Sequence, residues 1–323
     1  MMNIIRRFRE ELATAWQSSR PLTAVAIAMV GAFVASAAGL VLDPRVITGA
    51  PGWLKPAKFA ISSAIYTGTL AWLFRYLQVW PLFVRILGAL TAAVLVLEVG
   101  IIDFQAARGT TSHFNVSTPL DGALWATMGV AIAVLWTSSI GTLVALFRQP
   151  FVDRSFGWAL RLGMLVTVIG SASGGLMVTP TEQQRVTIAQ THHAPAFVGG
   201  HTVGAPDGGP GLPGVGWSRS HGDLRIPHFL GLHALQVIPL FYFLRARRRR
   251  IASANTPYIF IVSASYFALI GILTWQALRG QSIVEPDSST SVALLIWLAL
   301  TAAAMLLPRT KSNGYQSSPL EVV

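Results

Sequence analysis

Glu98, Asp103, His228 and His233 are the residues of this chain whose types and settings can do chemistry. A carboxylate beside an imidazole serves general acid–base catalysis or holds a hard or borderline divalent metal ion. Glu98 and His233 are the first candidates for such an ion. These groups lie in or at the ends of apolar runs, where an ionisable side chain costs at least about 2.5 kcal/mol to insert and so faces a cavity or a partner. Glu98 lies about 7 Å along its helix from Asp103. His228 and His233 are five positions apart, about 140° around an ideal helix, whereas His233 and Gln236 share a face. Lys58, Arg108, His113, Arg225 and Gln236 complete the candidate binding set, with Arg108 and Arg225 suited to an anionic head group.

The elements that must position these residues are membrane helices. The chain has 323 residues, 53% hydrophobic and 11% charged, with a mean hydropathy of +0.56. Soluble domains carry about 25% charged residues. Eight apolar segments approach the ~20 residues that a bilayer requires. They lie near 22–42, 57–78, 82–102, 120–147, 156–179, 227–244, 257–278 and 291–308, and each is expected to be helical because lipid leaves no partner for free backbone groups. The tripeptide at 35–37, "ASA", mimics a signal-peptide cleavage site, but the apolar run continues to Leu42. The segment is therefore read as a span. Cysteine is absent, which removes disulfides and thiolate chemistry.

Net charge is +11, and its placement argues for membrane topology rather than nucleic-acid binding. With the N-terminus inside, sixteen Lys and Arg fall on inner segments and eight on outer ones, a positive-inside bias. Both termini are expected in the cytoplasm of a bacterial-type plasma (inner) membrane, and the run Arg245 to Arg250 is expected to stop transfer there. All seven histidines then lie on the outer side.

Two stretches, "FQAARGTTS" (104–112) and "WQALRGQS" (275–282), share Gln-Ala-x-Arg-Gly, and "LKPAKFAISSAIYTGTLAWLFR" (54–75) aligns without a gap on "LRIPHFLGLHALQVIPLFYFLR" (224–245). The expected fold is therefore all-α, with eight transmembrane helices arranged as a tandem duplication of a four-helix unit. Four spans per unit make the repeats parallel. The expected parts are a cytoplasmic segment 1–20, units 21–149 and 150–308, and a cytoplasmic tail 309–323. The second unit carries a Gly/Pro/His-rich outer loop at 181–222, whose stretch from Thr191 onward is expected to hold little regular structure. That loop reads as a connection, as a lid over an outer mouth, or as a weak metal-capturing tract.

At equivalent places the first unit offers carboxylates and lysine and the second offers imidazoles. If the units meet along a central axis, the two sets converge in one outer-leaflet site. The leading expectation is a membrane-embedded enzyme acting on a lipid-soluble or amphipathic substrate with the bilayer as its partner. The alternatives are a haem-handling or electron-transfer protein, a proton-coupled transporter, and a non-catalytic complex subunit. In span count, duplicated four-helix layout and length the chain resembles haem A synthase, which implies haem as the alternative to a divalent metal ion. That family pairs histidines on separate spans of each half. Here Lys58 stands where a first-half ligand belongs, and the fourth and eighth spans hold no histidine, so no residue role carries over.

Overall fold

The computed structural model describes residues 2–248 and 256–307, and the expected tail 309–323 and residues 249–255 lie outside that description. Helix α1 (Met2–Ser18) precedes α2 (Arg20–Leu42), α3 (Leu54–Phe74), α4 (Pro81–Ala107), α5 (Pro119–Arg148) and α6 (Arg154–Ala172). A 3-10 turn, Ser173–Leu176, extends α6. There follow α7 (Glu182–Thr191), α8 (Arg225–Leu232), α9 (Ala234–Arg248), α10 (Thr256–Leu278) and α11 (Ser288–Leu306).

Among the described residues, six helices are long and apolar enough to cross a membrane: α2, α4, α5, α6 with its 3-10 extension, α10 and α11. The pair α8–α9 makes a seventh if its bent halves count as one span. Helix α3 runs between the same two ends of the bundle but is diluted by Lys55, Lys58, Ser62, Ser63, Thr67 and Thr69, and it is not among the six. All of these helices bury side chains against their neighbours while leaving broad apolar faces exposed, such as Leu295, Leu298 and Leu300 on α11. A chain folding in water would bury such faces; lipid suits them.

The sixth expected helix is broken, which the sequence reading did not anticipate. Helices α8 and α9 meet at His233 with a 50° bend. Gly231 causes close approach at this point: a Cβ added to it would sit 2.5 Å from the Gly170 Cα. The backbone groups freed at the break find partners on neighbouring helices. The Thr167 hydroxyl accepts from the Leu235 N–H at 3.0 Å, and the Tyr266 hydroxyl donates to the Leu230 carbonyl at 2.7 Å. Pro239, inside α9, has no N–H to offer and adds to the cost of a straight helix.

The two halves pack in one pattern. Helix α2 touches α3 and α4, α3 touches α4, and α4 touches α5; likewise α6 touches α8–α9 and α10, these touch α10, and α10 touches α11. Contact between α5 and α6 joins the halves. The ends of the third helices match as well. Arg108, closing α4, pairs with Asp121 of α5 at 2.7 Å, and Arg279, closing α10, pairs with Asp287, the N-cap of α11. Gly109 and Gly280, at φ +77 and +71, make the following turns in the left-handed region that glycine adopts freely.

The end of the bundle away from α1, here the far end, carries the long loop, which is a packed cap. Strand β1 (Val46–Ile47) pairs antiparallel with β2 (Ala50–Pro51), and β3 (Thr202–Val203) with β4 (Gly222–Asp223). Asn115 bridges to Phe197, and Gly211 to Ser218. Ser282 donates to the Arg219 carbonyl. Helix α7 lies within 181–222 and begins with a capping box between Thr181 and Gln184. The stretch from Thr191 onward is irregular apart from two short strands and these bridges, and it is held by hydrogen bonds along its length.

Candidate functional site

Beneath the cap lies a cavity of about 1260 Å³ at the far ends of α3, α4 and α8. Its wall combines the start of α3, the 110–114 turn, α7 and the loop from 195 to 225. Three of the expected site residues line it: Lys58, His113 and Arg225. The Lys58 Nζ donates to the Val215 carbonyl at 2.6 Å and so anchors the cap. Arg225 is held by Asp223, which accepts from its Nε at 2.9 Å and from its Nη2 at 2.6 Å, and Arg225 also donates to the Gly216 carbonyl. The His113 ring is packed among Phe59, Phe114 and Trp125, with Nδ1 3.0 Å from the Ser112 hydroxyl. Burial pushes the His113 imidazolium well below the usual histidine range, and the Lys55 charge adds to the effect.

The cation that sequence reading passed over is Lys55. Among the described residues, no carboxylate lies within 4 Å of its ammonium, and its nearest ring is Phe59, 5.9 Å from the centroid. Lys55 lines the cavity one turn before Lys58. The signal is legible as a Lys-x-x-Lys pair on one helical face, but snorkelling to head groups accounts for such a pair equally well.

A second missed group is His201, also on the cavity wall. Its Nδ1 lies 2.7 Å from an Asp207 carboxylate oxygen, and Asp207 also accepts from the backbone N–H groups of His201 and Thr202. Among the described residues this is the imidazole–carboxylate pair within 4 Å. Burial lowers the His201 imidazolium pKa, with Asp207 opposing the shift. Burial acts to raise the Asp207 pKa, but the His201 hydrogen bond and charge hold it well below the carboxylate range.

The four residues expected to do chemistry are not joined to one another. Glu98 is buried at 3% exposure, its Oε1 has no hydrogen-bond partner, and it lies one turn from Ile102, which lines the cavity. That spacing puts it about 6 Å along α4 from the cavity floor. Asp103 is half-buried with an unpartnered Oδ1. The His228 Nδ1 lies 3.3 Å from the Ser173 hydroxyl, beside Gly174. His233, at the helix break, stacks edge-on to Phe229 with centroids 4.3 Å apart. Gln236 donates to the Thr69 hydroxyl at 3.1 Å, which links α9 to α3. Arg108 is committed to Asp121 and Gln105. Among the described residues, no three His, Asp or Glu side chains are grouped to hold a metal ion.

No family model, curated protein or solved structure matches the chain.

Proposed function

We propose that this is an eight-pass protein of the bacterial-type plasma membrane that takes an anionic, amphipathic molecule into the capped cavity, with Lys55 receiving its charge. The observation that carries this reading is an ammonium, that of Lys55, on the wall of a cavity of about 1260 Å³ with no carboxylate within 4 Å among the described residues. A half-buried cation with no carboxylate beside it favours an anion that brings its own charge-assisted hydrogen bond. The site stands at the ends of membrane helices, and its wall includes Phe59, Ile102 and Phe197 beside the polar groups, so an acyl or isoprenoid portion suits it as well as a head group.

The eight-pass reading counts α3 and the bent α8–α9 pair as spans. The positive-inside bias supports cytoplasmic termini, which makes the capped end the outer one. A parallel repeat of two four-helix units is supported by the shared packing pattern and by the matching Arg108–Asp121 and Arg279–Asp287 ties.

The test is binding of lysophosphatidylglycerol and oleate to detergent-purified protein, with lysophosphatidylcholine as the neutral control. Lys55→Gln is expected to weaken binding of the anionic probes by at least about tenfold, the worth of one charge-assisted hydrogen bond, and to leave the neutral probe unaffected. Equal binding by wild type and variant would remove Lys55 from the site.

The His201–Asp207 pair favours a second layer to this reading, an enzyme. With Nδ1 on Asp207, the His201 Nε2 is left to exchange a proton with a bound substrate, a role that the sequence reading gave to His228 and His233. His201→Gln is expected to abolish turnover of the natural amphiphile while probe binding persists. Loss of both together would reduce the pair to a support of the cap.

A further inference from the structure

At the end of the bundle opposite the cavity, α1 packs on α2 and α3. At 100° per residue, Phe8, Leu12, Ala15 and Trp16 fall within an arc of about 100°, with Arg6, Arg9, Glu10 and Gln17 outside it. Leu12 and Ala15 are half-buried, with Ala15 packed on the core, but the protein leaves the two aromatic rings of this arc uncovered, Phe8 at 66% exposure and Trp16 at 43%. Behind α1 is a second cavity, about 340 Å³, lined by Gln17, Ser18, Arg75, Gln78 and Arg85 among others. Arg75 is fixed there: its guanidinium lies over Trp72 and Tyr76, and its Nη1 donates to Glu11 at 3.0 Å. Its buried Nε has no partner. Arg85 has no carboxylate within 4 Å among the described residues. The cavity therefore offers two guanidinium groups against one carboxylate.

We propose that α1 lies in the plane of the membrane surface and that the cavity behind it holds the phosphate of an anionic lipid between Arg75 and Arg85. A helix with bare aromatic rings on one face and arginines on the other seats at the head-group level, and each basic residue near an anionic leaflet adds to the attraction. The inference rests on the helices crossing a membrane. It does not depend on what the far cavity binds.

The cysteine-free chain allows a direct test. Phe8→Cys, labelled with an environment-sensitive fluorophore, is expected to show blue-shifted emission in nanodiscs containing phosphatidylglycerol. Solvent-like emission there overturns the in-plane placement. In native mass spectrometry from equimolar mixed micelles, the wild type is expected to retain phosphatidylglycerol about tenfold over phosphatidylcholine, and Arg75→Gln/Arg85→Gln to retain both equally. A preference that survives in the double variant overturns the site. Glycerol phosphate is expected not to compete, and competition by it equal to that of the lipid would mean a free phosphate site instead. The labelled protein keeps both arginines, so failure of the double variant to fold leaves the fluorescence and competition results decisive. Binding of lysophosphatidylglycerol at the far cavity, read through Lys55, reports separately on the proposed function.

Discussion

Glu98 carries an unmet hydrogen-bonding demand inside the bundle. Its Oε1 is buried without a hydrogen-bond partner, and such an orphan costs about 1–3 kcal/mol. Glu98→Met is therefore expected to raise the melting temperature of the detergent-solubilised protein. A fall would show that Glu98 has a stabilising partner when the protein is loaded. The composition and the apolar run around Glu98 made it legible as an intramembrane acid, and burial agrees. What the sequence could not show is which neighbour faces it, because facing depends on rotation and tilt of α4, and apolar helices leave both to packing. The same ignorance hid Lys55 and the aspartates that pair with Arg108 and Arg225. Those pairs join residues two and thirteen positions apart, and only the turn geometry between them decides that they meet.

At the scale of elements, the break between α8 and α9 is the least expected feature and the most open to test. Thr167→Val leaves the Leu235 N–H without its partner and is expected to cost about 1–3 kcal/mol, read as a lower melting temperature. Gly231→Ala forces a methyl group toward the Gly170 backbone and is expected to cost about 1–3 kcal/mol or more, as overpacking does. A variant as stable as wild type would mean the halves can separate freely at this point. Helix existence was readable almost throughout, because the apolar runs are long and Pro81, Pro119 and Asp287 mark starts. Pro227 and Pro239 both pointed toward the sixth helix without locating its bend. The Gly170–Gly231 contact that fixes the bend spans sixty residues of chain, beyond the reach of periodicity. Helix α7 was announced by the Thr-x-x-Gln of its capping box but was lost in the polar composition around it.

At the scale of the whole molecule, the cap is expected to respond to pH. His113 and His201 both have their imidazolium pKa lowered by burial, from an ordinary value of 6.5. The unfolded or opened segment takes up protons first as pH falls below 6.5, so the closed form loses stability from there downward. Asp207 acts in the same sense at lower pH: its carboxylate is held below the ordinary range, so its contribution is complete above that range and is lost as pH falls through its folded value. Hydrogen-exchange protection across 195–225, taken relative to the intrinsic exchange rate at each pH, is expected to fall between pH 7.5 and pH 5, and less so in His113→Gln. Protection that stays constant over that interval would mean the cap does not open locally. This cooperation of distant loops was not legible in sequence, where the Gly- and Pro-rich tract suggested looseness; its order comes from hydrogen bonds to residues as remote as Lys58 and Ser282.

The seam between β4 and the end of α10 carries a consequence for biogenesis. Gly222 lies so close to Ala277 that a methyl group in its place would come within 2.0 Å of that residue's carbonyl oxygen, and Arg219 is bound by Ser282. A ribosome that has not yet released residue 282 has therefore produced a roof without its last wall. Nascent chains stalled before that point should be cut by added protease within the glycine-rich tract, and chains stalled well after it should survive.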